Sequence, residues 1–140
     1  MKTSFRILSV MLVVCLCAAS LAGCGGGINR DEAKAFIGDF FVSVADGDFS
    51  KAEDFLHPDR PADLEAFFRN LEENSAIDFQ SGIEIETFTG FSSSLYDSTV
   101  GGATLELSMR AKVGDKTVDI AVEIVKNKSG YGIYNLDLNA

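Results

Sequence analysis

The chain has no tryptophan, one histidine and only two prolines among 140 residues. A single imidazole, His57, is too few for most zinc and copper sites. Bases are scarce as well: 12 Lys and Arg stand against 21 Asp and Glu, for a formal net charge of −9. A phosphate-binding face must be basic, so nucleic acid is excluded as a partner. No Gly-x-x-x-x-Gly-Lys phosphate loop and no Gly-x-Ser-x-Gly nucleophile segment occurs. Asp46-Gly47-Asp48 and the pair Asp59 and Asp63 lack the twelve-residue calcium loop with its terminal Glu, so no metal is expected. With 13 Gly and 46% hydrophobic residues the chain is neither collagen-like nor disordered. Its length suits one domain.

What is present is unevenly spread. Residues 1–23 carry two charges, Lys2 and Arg6, and no acid. The rest therefore holds 21 acids against 10 bases, a charge of −11. Such a surface favours solubility. A basic start is followed by 13 uncharged residues, 7–19. That run is too short to cross a bilayer, which takes ~20 apolar residues. It fits the apolar region of a signal peptide. Leu21-Ala22-Gly23-Cys24 follows, with small residues before a thiol.

This segment resembles the lipobox of bacterial lipoproteins. The resemblance implies cleavage between Gly23 and Cys24 and a diacylglyceryl group on the Cys24 sulfur. Two acyl chains anchor stably where one does so marginally. Cys15 and Cys17 would leave with the leader, and lipid would consume Cys24. The remaining domain then has no thiol, which excludes disulfide, zinc-thiolate and iron–sulfur chemistry. Residues 25–27 are glycines, a flexible tether. The expected divisions are leader 1–23, lipidated Cys and tether 24–28, and one domain 29–140. The expected place is the extracytoplasmic membrane face, with membrane lipid as a partner through Cys24.

Hydrophobic spacing then predicts three helices. Ala33, Phe36, Ile37, Phe40, Phe41 and Val44 make one stripe over residues 29–46. Asn29 is its predicted N-cap, with Glu32 placed as in a capping box, and Gly47 its stop. Residues 48–56 predict a short second helix, ended by His57-Pro58. Pro61 opens a third, with Leu64, Phe67, Phe68 and Leu71 inward, ending near Asn74. After that the period changes to two. Strands are predicted within 77–91 and over 103–113, 117–126 and 131–138, with 92–99 either a strand or a loop. Gly114-Asp115 and residues 127–130 supply tight turns. Short connections imply an antiparallel meander. The expected class is α+β, with three N-terminal helices packed on a curved antiparallel sheet.

The stretch Phe36-Ile37-Gly38-Asp39-Phe40-Phe41, with Asp46-Gly47-Asp48-Phe49 and Phe55-Leu56-His57-Pro58-Asp59 after it, resembles the start of nuclear-transport-factor-2-like, cystatin-like domains. That resemblance implies a cone with an open end, which in some members forms a pocket. Enzymatic members place an acid–base pair there. The corresponding candidates here are Asp39, His57, Asp59, Tyr96 and Tyr134.

Each candidate also has a plainer role. His57 can be a general base or can cap the last helix carbonyls. Asp39, at the edge of the first helix's stripe, can be a base or can face solvent. The tyrosines can donate to a ligand or pack with a wet hydroxyl. No nucleophile with a base and orienter stands out, so no catalytic residue is assigned. No cofactor is expected. The expected function is binding of a small ligand or an envelope protein without catalysis. The rival readings are a pocket enzyme of ketosteroid-isomerase or cyclase type, and a scaffold acting as a homodimer or accessory subunit.

Overall fold

The computed structural model describes residues 27–139. Gly23, Cys24 and the leader lie outside the described residues. The fold is α+β, with helices first and a four-stranded antiparallel sheet after them. No helix among the described residues is long and apolar enough to cross a membrane.

Helix α1 (Arg30–Ala45) starts where the Asn29 side chain accepts from the Asp31 and Glu32 amides. Gly47, at φ 72°, turns the chain at its far end. The stripe Ala33, Ile37, Phe40, Phe41 and Val44 is buried. Phe36 is only partly so, and its ring meets Phe55 at 4.9 Å and Tyr131 at 5.0 Å, edge-on.

Helix α2 (Phe49–Glu53) is shorter than its predicted span. The chain at Leu56 leaves the helix to pair with Ile133 instead. Helix α3 (Leu64–Ser75) starts three residues after Pro61, because Asp63 caps it by accepting from the Ala66 amide. Ala76 closes it in a left-handed conformation, φ 52°. Residues 77–82 are not a strand. The Asp78 side chain accepts from the Gln80 amide and winds Phe79–Ser81 into a 3-10 turn, with Ile77 and Phe79 both buried.

The sheet is a meander in sequence order: β1 (Ile83–Asp97), β2 (Gly102–Val113), β3 (Lys116–Asn127) and β4 (Gly130–Asn139). Residues 92–97, open between strand and loop in the sequence, extend β1. Strand β2 buries alternate residues from Ala103 to Val113, as a one-faced strand must. Strand β3 buries Val118, Ile120, Val122 and Ile124 in the same way. Strand β1 is an edge strand, and its pairing with β2 shifts register at three places. The inward face of the sheet and the helix stripes share one hydrophobic core. Phe68 at its centre packs edge-on against Phe79 at 5.1 Å. Deleting either ring costs ~3–5 kcal/mol.

Tyr131 opens β4 against α1. Burial, and then the Glu32 carboxylate, push its phenol up to about 12 from an ordinary 10.0. The folded chain therefore holds this proton more tightly than the unfolded chain does. The stability linked to it is complete below pH 10 and is lost as pH rises toward 12. Denaturation midpoints measured across that window are expected to fall in the wild type. They should fall less in Tyr131→Phe, and the difference spectrum at the tyrosinate band should show one late-titrating phenol.

Candidate functional site

Phe55 and His57 are joined to β4 by main-chain bonds. The His57 amide donates to the Ile133 carbonyl at 2.8 Å, and the Ile133 amide donates to the Phe55 carbonyl at 2.8 Å. Gly132 makes this approach possible. A Cβ there would lie 2.5 Å from the His57 nitrogen and 2.7 Å from its Cα. Every other residue would push the two backbones apart.

The imidazole is fully buried and satisfied at both nitrogens. The Asp59 amide donates to Nδ1 at 3.1 Å. The proton therefore sits on Nε2, an assignment made from the partners. Nε2 donates to Asn127 Oδ1 at 3.1 Å and to the Gly130 carbonyl at 3.2 Å. Asp59 Oδ2 lies 3.7 Å from Nδ1, but a ring nitrogen that accepts a bond carries no charge to pair with it.

Asn127 extends the hub. Its Nδ2 donates to the Val100 carbonyl at 2.8 Å and to Asp59 Oδ2 at 3.4 Å. Its Oδ1 also accepts from the Ser129 amide at 2.9 Å. The β1–β2 turn, the β3–β4 turn and the segment after α2 are thus tied through one imidazole and one amide.

Tyr134 stands on the other side of His57, ring centroids 5.5 Å apart and edge-on. Beyond it opens a cleft of ≈ 260 Å³. Leu56, Pro61, Leu64, Phe67, Ile133 and Leu136 supply its apolar walls. Arg60, Tyr134 and Asn135 supply its polar side. The Arg60 guanidinium lies over the Tyr134 ring, 4.7 Å from the centroid. It donates to Asn135 Oδ1 at 2.9 Å and to the Tyr134 carbonyl at 3.4 Å. No carboxylate among the described residues pairs with it.

The candidates named from sequence are not one cluster. His57, Asp59 and Tyr134 come together, with His57 as the buried strut and Tyr134 in the cleft wall. Asp39 is exposed on α1, and its backbone carbonyl accepts from Ser43 Oγ. Tyr96 is 68% exposed near the end of β1. His57 does not cap the helix carbonyls before it; the imidazole reaches 70 residues along the chain instead. Arg60, Asn127, Gly132 and Asn135 were not singled out in the sequence. Arg60 alone had a visible signal, as the one base between His57 and Arg69.

The cleft lining includes no carboxylate and no imidazole atom. Among the described residues no group of three or more His, Cys, Asp or Glu is placed to hold a metal ion. The chain matches no family model, no curated protein and no solved structure.

His57→Ala should cost ~2–4 kcal/mol, since it opens a cavity and strands the Asp59 amide. Gly132→Ala should cost ~1–3 kcal/mol through backbone clash. Gly38→Ala, on α1 with nothing within 4 Å of the added methyl, should instead stabilise by ~0.4–1 kcal/mol. Urea melts of the three variants check the order.

Proposed function

We propose that this chain is a lipid-anchored extracytoplasmic lipoprotein whose folded domain binds a small ligand in the Arg60–Tyr134 cleft without transforming it. The anchor rests on Leu21-Ala22-Gly23-Cys24 and the leader before it. The finer fold reading is the cystatin-like cone. It is supported by helices preceding a four-strand meander and by the Asp46-Gly47-Asp48-Phe49 turn between α1 and α2.

One observation carries the binding reading. In an acidic chain, Arg60 stands at the mouth of an apolar cleft with no carboxylate partner among the described residues. Apolar walls with a few convergent polar groups are what small-molecule sites have in common. The ligand chemistry that fits is an apolar body with a carboxylate or carbonyl head directed at the guanidinium. The absence of catalysis is supported by the His57 hub. Its Nδ1 already accepts a bond and its ring is fully buried, so it offers no base to the cleft.

Native mass spectrometry of the acylated chain, drawn from its host membrane in mild detergent, tests the reading. The wild type should carry an adduct that is neither detergent nor the anchor. Arg60→Gln should weaken retention at least about tenfold, the worth of one charge-assisted hydrogen bond. A bare chain in both samples would remove the ligand reading.

A further inference from the structure

Three large apolar side chains stand exposed on β1: Phe91 at 56%, Leu95 at 78% and Tyr96 at 68%. Residues 91–96 read Phe-Ser-Ser-Ser-Leu-Tyr, without a charge. Single exposed apolar residues need no explanation, but three within six residues of an edge strand do.

Gly27, the first described residue, lies against this patch. A Cβ built on it would sit 3.2 Å from Leu95 Cδ2. Arg30 covers Phe91, its guanidinium carbon 3.3 Å from the ring centroid. Cys24 precedes Gly27 by three residues, and three residues fully extended span at most ~11 Å. An acyl chain on Cys24 would therefore hold the Leu95–Tyr96 tip within reach of the bilayer surface.

Cations with no ion-pair partner among the described residues also stand at this end. Gly102 pairs with Asn127, and Asn127 bonds the Val100 carbonyl, so the β3–β4 turn lies beside the β1–β2 turn. Lys126 and Lys128 come with it. The ion pairs among the described residues are Arg69–Glu65 and Arg110–Asp119, and neither involves Arg30, Lys126 or Lys128. These cations suit lipid phosphates. Acids stand at this end as well: Asp97, held ionised by the Thr99 hydroxyl and amide, Asp59 beside Asn127, and Asp31 and Glu32 next to Arg30.

We infer that this end of the sheet seats in the interfacial layer of a lipid bilayer, with Leu95 and Tyr96 inserted and Arg30, Lys126 and Lys128 at the headgroups. A tyrosine ring belongs there, since its face is apolar and its hydroxyl stays wet. The inference rests on the lipid-anchor reading and adds a second contact to it. It also fixes which way the domain faces, with the sheet end down.

The chain lacks tryptophan, so Tyr96→Trp and Leu95→Trp each provide a single reporter. The acylated chain, taken from its host membrane, is reconstituted in phosphatidylcholine vesicles with plain or brominated acyl chains. Emission from both variants should move to shorter wavelength and fall roughly twofold in the brominated vesicles. Val42→Trp should be unaffected. Val42 is also exposed, but lies twelve residues beyond Arg30 on α1, about 18 Å along the axis. Flotation separates the two readings: the wild type should rise with the vesicles and Cys24→Ser should not. A wild type that stays down overturns the anchor and the inserted tip together. A chain that floats with neither reporter quenched overturns the tip alone. Shifted emission without quenching, accompanied by a crosslinked dimer, assigns the patch to a second copy and overturns it too.

Discussion

The close passage of Leu56–His57 over Gly132 is the constraint on which the rest of this structure depends. It is the point where the helical half of the chain is stitched to the last strand. Two main-chain hydrogen bonds of 2.8 Å make the stitch. The imidazole then reaches from it to Asn127, whose amide bonds the β1–β2 turn in addition. A buried polar ring is costly unless each nitrogen is matched. Here both are matched, Nδ1 by the Asp59 amide two residues on and Nε2 by Asn127 and Gly130 of the β3–β4 turn. The histidine therefore specifies how the segment after α2 meets the β3–β4 turn.

That assignment shapes the reading of the cleft beside it. Tyr134 packs against the His57 ring and lies under the Arg60 guanidinium. The strut fixes the ring, and the ring fixes the guanidinium. Arg60 is further restrained by Asn135 Oδ1. A guanidinium oriented before any ligand arrives loses less freedom on binding. The rigid core below and the oriented cation above belong to one arrangement, proposed here as a binding site.

The local rules of the fold were legible in the sequence, and the long-range ones were not. Asn29 as N-cap, Gly47 as stop and the alternation of β2 and β3 follow from chemistry within a few residues. The limits of α2 and α3 moved because tertiary pairing at Ile133 and a side-chain cap at Asp63 outweighed helical spacing. The period-two pattern of Ile83 and Ile85 with Glu84 and Glu86, extended back to residue 77, does not hold there. A 3-10 turn capped by Asp78 buries Ile77 and Phe79 instead. In the site, Tyr134 and His57 stood out by residue type. Asn127 did not, because a turn asparagine looks the same whether or not a histidine 70 residues away has found it. Gly132 has no local feature that sets it apart from any strand glycine; what requires it is the backbone of Leu56 and His57 crossing it.

The two outer strands of the meander have opposite fates. Strand β4 has its open edge met at Ile133 by the chain leaving α2. Strand β1 is long, and nothing pairs with its outer side among the described residues. Its three register shifts break the even row of amides and carbonyls that another strand would need as a template. Where many copies crowd together, a straight fifteen-residue edge would invite one chain to zip onto the next. The irregularity of β1 makes it a poor template for such pairing.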